Sequence, residues 1–207
     1  MIYLSGVVRP EIDGSRKDIG LILTRRMGNT PDLSRIPWAA DNGCFAQGAA
    51  FDLGAFLVWL GARAQYRDSC LFAVAPDVMG NAEATWERSR PVLPQLMALG
   101  FKAALVAQDG IERHWVDWAA FDVLFVGGTT RWKLSHHARE TVAAAKAHGK
   151  LVHMGRVNSE RRLRTAAMWG CDSADGTFLR PAPDINFPKM IDWLDSLHRE
   201  PNLDFSQ

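Results

Sequence analysis

The sequence predicts an α/β fold on a parallel sheet, an abbreviated (β/α)8 TIM-type barrel forming a single domain. Three observations carry this. Eight short apolar runs punctuate the 207 residues. From the third run onward, nearly every gap holds apolar residues at helical spacing, and such alternation argues for a parallel sheet with right-handed crossovers. Acids, amides and glycines recur directly after the runs, where a parallel α/β fold places its chemistry. The length lies near the lower limit of about 200 residues for such a barrel. The alternative is an open doubly wound sheet with one strand fewer.

Each element has a local reason. Residues 2–8 are apolar and partly β-branched, stop at Arg9-Pro10, and form the first strand; residues 19–24 form the second. The polar stretch 11–17 and the irregular stretch 25–35, with Gly28 and Pro31, leave no room for regular crossover helices. Residues 36–40 are the third strand and deliver Asp41. Leu53, Phe56, Leu57, Leu60 and Ala64 mark a helix over 52–66 with Asp52 as its cap. Residues 71–75 deliver Asp77, and Asn81 caps the following helix, which Pro91 and Pro94 break before residues 96–99. Residues 102–107 deliver Gln108, a short helix over 111–119 follows, and residues 122–126 deliver Gly127 and Gly128. A helix over 135–148 closes at Gly149, and residues 151–153 deliver Met154, Gly155 and Arg156. A basic helix over 159–169 leads to the last strand, 171–175, which carries Asp172 and Asp175; an amphipathic helix over 187–198 and a polar tail, 201–207, end the chain.

With 47% hydrophobic and 23% charged residues, the chain can bury a sizeable core and is not disordered. Its net charge of +1 gives no global field for nucleic acid, so such a partner has to be read from local charge. Cys44, Cys70 and Cys171 are odd in number and form no CxxC spacing, which argues against a disulfide framework or zinc site and suits a reducing cytoplasm. No signal-peptide pattern opens the chain, and no apolar run reaches the roughly 18 residues of a membrane span. Neither a metal nor a cofactor is expected. Trp115, Trp118 and Trp132 read first as core packing and second as an interface.

The polar residues that follow the strands converge on one face of a barrel. Asp41 and Asp175 would then share a pocket, where two carboxylates can divide labour if their environments separate their pKa values. At a sugar C1′ one carboxylate forms a covalent glycosyl intermediate that a second acceptor displaces with retention. Asp77 and Gln108 have the donor and acceptor character to read a nucleobase edge. Gly127 and Gly128 let a flat ligand approach the backbone, and Phe45 and Met154 offer an aromatic face and a thioether, or simply core packing. Arg156 and Arg162, with Arg180 further on, form a local basic excess suited to phosphates or to a solvated helix face. His153 is either a core residue or a partner of a catalytic carboxylate. His136 and His137, beside Lys133 and Arg131, read as capping and solvating a helix rather than binding metal. Cys44 lacks a histidine motif that would make it a nucleophile.

In this order the segments resemble the tRNA-guanine transglycosylases, and more closely their small DNA-modifying relatives, the deazaguanine DNA transglycosylases of bacterial and phage genomes. The family's DSGGF-type motif is similar to Asp41-Asn42-Gly43-Cys44-Phe45, and its base-reading acid to Ala75-Pro76-Asp77-Val78. Gln108-Asp109-Gly110, Gly127-Gly128-Thr129, Val152-His153-Met154-Gly155 and Gly170-Cys171-Asp172-Ser173-Ala174-Asp175 resemble the Gln-Gly, Gly-Gly-Leu, Met-Gly and GxDxFD segments. The resemblance implies a TIM barrel exchanging guanine for a 7-deazaguanine such as preQ0. It implies Asp175 as nucleophile and Asp41 as general acid/base. Asp77, Gln108, Gly127 and Gly128 would recognise the base, with Phe45 and Met154 around it. The sequence departs from the family at Cys44, Asp109 and Ala174. No CxCxxC…H zinc subdomain follows Asp175, which favours DNA over tRNA, with the target base flipped from the stack. A hydrolytic N-glycosidase and a non-catalytic base-binding barrel are the alternatives. A helper protein or homodimer is expected to assist on duplex DNA.

Overall fold

A computed structural model of the chain describes residues 1–28, 30–114 and 116–199. Trp115 and the tail 201–207 lie outside the described residues. Eight parallel strands close into a barrel in sequence order, β1 (Ile2–Ser5), β2 (Ile19–Leu23), β3 (Trp38–Ala40), β4 (Cys70–Val74), β5 (Ala103–Ala107), β6 (Val123–Val126), β7 (Leu151–Met154) and β8 (Ser173–Gly176). Closure is made by β8 against β1, with Leu4 opposite Asp175. The predicted barrel is therefore the observed fold.

Side chains alternate across the sheet with the strand period of two. Leu4, Ile22, Ala39, Phe72, Val74, Ala104, Val106 and Val123 fill the barrel, with Phe125 and Leu151 packed against them. The intervening residues, among them Tyr3, Leu21, Trp38, Leu105, Val152 and Met154, belong to a larger outer core under the helices.

The helices are α1 (Cys44–Gln47), α2 (Leu53–Gly61), α3 (Ala82–Ser89), α4 (Leu93–Ala98), α5 (Thr130–Lys133), α6 (His136–Ala147), α7 (Glu160–Met168) and α8 (Pro183–Arg199). The expected caps Asp52 and Asn81 accept from Ala55 and Ala84, and α6 is capped by Ser135, whose hydroxyl accepts from Ala138. The predicted helix over 111–119 is instead two 3-10 turns, Ile111–Arg113 and Trp118–Ala120. Short α5 is a further departure, started by Thr129, whose hydroxyl accepts from the Trp132 amide. Trp132 itself is buried, and Trp118 stacks on His148 with ring centroids 4.8 Å apart.

Among the described residues no helix joins β1 to β2 or β2 to β3. Ile12, Leu33 and Ile36 are buried in the outer core along these loops. Helix α8 is tied to the same flank: Arg16 bridges Asp18 at 2.7 Å and Asp195 at 2.6 Å, and Arg9 bridges Asp184 at 2.9 Å. The C-terminal helix is thus tied to the segment that joins β1 to β2. No helix among the described residues is long and apolar enough to cross a membrane.

Candidate active site

Three carboxylates meet at the carboxyl ends of the strands. Asp41 follows β3 directly, its amide donating to Leu23 O at 2.8 Å to continue the ladder. The turn is tight because Gly43 adopts φ 74°, a conformation glycine takes freely, and its N–H donates to Asp41 Oδ1 at 2.9 Å. Burial pushes the Asp41 carboxyl up to about 6, against the pull of the Gly43 amide; the charges of Asp175 and then Asp77 add to the rise.

Asp77 is held by two side-chain amides. Asn42 Nδ2 donates to Asp77 Oδ1 at 3.1 Å and Gln108 Nε2 to Asp77 Oδ2 at 2.7 Å. Burial raises the Asp77 pKa and these two bonds oppose it. Asn42, which sequence reasoning passed over, also donates to Ala75 O at 2.8 Å and accepts from the Cys44 amide at 2.6 Å. Gln108 Oε1 accepts from the Gly80 and Gly128 amides at 2.9 and 3.0 Å. One buried amide therefore fixes three strand-end loops around Asp77. Burial pushes the Cys44 thiol up to about 11, away from the thiolate a cysteine nucleophile requires.

Asp175 points inward from β8. His153 lies within the barrel against Phe72 and Phe125, ring centroids 4.9 and 4.5 Å away. Its Nε2 is 3.0 Å from Asp175 Oδ1 and its Nδ1 2.8 Å from Ser173 Oγ. An ionised carboxylate only accepts, so Nε2 donates. The Arg156 amide adds a second donor to Oδ1 at 3.3 Å, so both donors fall on the same oxygen. Of the two readings open for His153, the structure supports the partner of a carboxylate.

The loop carrying that amide is unusual. Arg156 has φ 59° and is the one non-glycine residue at positive φ among the described residues. Its guanidinium donates to Gly128 O and lies 5.8 Å over the Phe45 ring. Arg162 Nη1 donates to Arg156 O at 3.3 Å. Below sits Lys133, only 4% exposed, whose Nζ donates to Gly155 O at 2.6 Å. Burial, the largest influence, pushes the Lys133 ammonium down to about 7. Nothing in the sequence marks Lys133, since a lysine ending a helical turn normally projects into solvent.

Several expected residues stand elsewhere than their assigned roles require. Met154 is fully buried in the outer core, because its neighbour His153 faces inward and the strand alternates; it does not face Phe45 across the mouth. Phe45 is 74% exposed on the rim. The space beside Gly127 is taken by Val106 Cγ1, 2.5 Å from where a Cβ would stand, and that beside Gly128 by Trp132 Cε3 at 2.6 Å. These glycines make room for protein side chains. Arg156 and Arg162 spend guanidinium donors on the backbone, while Arg180 is exposed with Nη2 near Gly6. Asp172 lies below the amino end of β8 and accepts from Lys146 Nζ at 2.9 Å and from the Val152 amide at 2.7 Å, so it braces the barrel floor. Among the described residues His136, His137 and Glu140 bring ligand atoms within 4.8 Å of one another, but on the exposed first turns of α6, where the helix dipole opposes a cation.

No family profile matches the sequence, and no curated protein matches it either. Among solved structures, native KDPGal aligns with a TM-score of 0.53 at 15% identity, over 96% of this chain and 93% of that one. PaMucR phosphodiesterase in its c-di-GMP complex aligns at 16% identity and TM-score 0.44, over 84% of this chain and 67% of that one. The Bacillus subtilis YkuI protein, with an EAL domain in complex with c-di-GMP and calcium, aligns at 13% identity and TM-score 0.44, over 81% and 44%. At such identities the likeness concerns the barrel alone.

Proposed function

We propose that this chain is an enzyme, a transglycosylase that exchanges guanine in DNA for a 7-deazaguanine base through a covalent Asp175–sugar intermediate. The observation that carries the reading is the pairing of two carboxylates in contrasting settings at one barrel mouth. Asp175 has one oxygen occupied by His153 and the Arg156 amide. Asp41 titrates near 6, suited to giving and taking a proton near neutral pH. In the first step Asp175 Oδ2 bonds to C1′ and the glycosidic C1′–N bond breaks. Its electron pair leaves on guanine, which takes a proton from Asp41. In the second step the incoming base gives a proton to Asp41 and its nitrogen bonds to C1′, expelling the Asp175 carboxylate with overall retention.

Asp77 suits recognition of the base edge, because Asn42 and Gln108 fill only part of its acceptor capacity. Gln108 contributes mainly by holding Asp77. Phe45 can stack on a flipped base from the rim, and Arg180 with the outer edges of Arg156 and Arg162 can meet phosphates. A helper protein or a second copy would open duplex DNA.

The test is incubation of the pure protein with radiolabelled preQ0 and duplex DNA, single-stranded DNA or tRNA. Label in DNA supports the proposal, and Asp175→Asn is expected to abolish both exchange and a denaturation-resistant protein–DNA adduct. Label in tRNA alone would assign the tRNA reaction. Abasic sites without label would assign a hydrolytic N-glycosidase. Tight base binding with no chemistry in any tube overturns catalysis. Full activity on intact duplex without a partner removes the helper.

A further inference from the structure

Lys133 and Asp175 are joined through a single peptide unit. The carbonyl that Lys133 Nζ binds, at 2.6 Å, belongs to Gly155; the N–H of that peptide is Arg156 N, directed at Asp175 Oδ1 at 3.3 Å. A cation on a carbonyl oxygen draws density along the C–N resonance, so the N–H becomes a stronger donor. The link also fixes geometry. Arg156 holds a left-handed conformation that is strained for a non-glycine residue, so the loop persists only where its surroundings impose it. Here Lys133 holds the carbonyl before Arg156, Arg162 holds the one after it, and the Arg156 guanidinium is anchored on Gly128 O.

We propose that Lys133 is a positioning residue for Asp175, clamping and polarising the Gly155–Arg156 peptide so that its N–H stays on Oδ1 and Oδ2 is left as the attacking oxygen. This rests on Asp175 being the nucleophile. The charged groups that act on Lys133 are Asp175 from β8, Arg156 and Arg162 from the β7–α7 segment, and Asp109 after β5. The two guanidiniums and burial favour the neutral amine and the two carboxylates the ammonium, which places its titration near 7. The clamp is therefore expected to weaken as pH rises through neutrality.

The test has a structural and a kinetic arm. In 15N-labelled wild type, the Arg156 amide proton is expected to move upfield as pH rises, with the midpoint of the Lys133 side-chain resonances. In Lys133→Met, which keeps the buried stem, the amide is expected already upfield at pH 6 and without that titration. In single turnover on DNA, Lys133→Met should form the covalent adduct about 10- to 100-fold more slowly, the loss typical of removing an outer partner that orients a functional group, with DNA affinity unchanged. Lys133→Arg should restore part of the rate. An Arg156 amide indifferent to Lys133, or an unchanged adduct rate in Lys133→Met, overturns the proposal. If the Met variant gives no cooperative melt, the wild-type titration decides: separate midpoints for Lys133 and the Arg156 amide overturn the clamp. A wild type that forms no adduct but shows the coupled titration instead refutes the transglycosylase reading and leaves the clamp standing.

Discussion

At the scale of single residues, the mouth of the barrel holds charges against their solvation preference. Asp41 shows this most simply. Its folded pKa, about 6, stands above the ordinary 3.8, so the folded state binds the proton more tightly. Any stability from this group is complete below the unfolded value and is lost as pH rises through the folded one. Asp41→Asn should therefore stabilise the protein at pH 7.5 by about 3 kcal/mol and by almost nothing at pH 3.5, measured by urea unfolding at the two pH values. The same variant should lose exchange by about 100-fold or more. Some of these residues were legible in the sequence and some were not. Asp41, Asp77 and Asp175 could be singled out because polar residues recur after several apolar runs of one chain, although a single acid there is usually a turn residue or a helix cap. Asn42 and Ser173 did not, since short polar residues in turns usually serve the backbone. Lys133 was hidden because its burial follows from where α5 packs, a tertiary fact without a local pattern.

At the scale of elements, the loops after β4, β5 and β6 form one unit through the Gln108 amide, and the loop after β7 is held by Lys133 from α5, Arg162 from α7 and its own Arg156 on Gly128 O. Gly128 is where this coupling is tightest: φ is 69°, and a Cβ there would meet Trp132 Cε3 at 2.6 Å and Asp109 Oδ2 at 2.8 Å. Gly128→Ala is expected to cost about 1–2 kcal/mol for the left-handed backbone alone, with the clash added, so the melting temperature should fall by roughly 4 °C or more. A melt within a degree of wild type would show that the loop relaxes freely. Strand and helix positions were readable from periodicity and caps. The error at Met154 shows where that reading slipped. A residue ending a strand still obeys the period of two, so once His153 faces inward Met154 faces out, whatever its chemistry invites. The 3-10 turns of 111–120 escaped for the opposite reason: the apolar spacing suits a helix, but the segment makes only isolated turns at each end.

At the scale of the whole molecule, the barrel was legible because closure in sequence order needs only repeated strand and crossover units. The ion pairs that tie α8 to the β1–β2 segment were not, since contacts between the two ends of the chain leave no trace in local pattern. The charge balance sets a limit on the proposed DNA binding. With a net charge of +1 and the proposed phosphate contacts resting on Arg156, Arg162 and Arg180, contacts to phosphate should be few. We expect log K against log salt to fall with a slope of about −2 to −3, and Arg180→Ala to reduce its magnitude by about one, read by fluorescence anisotropy on a short duplex. A slope near −8 would reveal a basic surface that the fold does not display at this face.

The pairing of Leu4 with Asp175 has a temporal meaning as well. During synthesis the first strand emerges well before the eighth, and one of its edges stays unmatched until β8 arrives. The acid assigned to attack on the sugar is therefore delivered in the same event that seals the ring. In the proposed reaction, a chain whose β8 has not yet paired with β1 therefore lacks a positioned Asp175 and with it the acid proposed to attack the sugar.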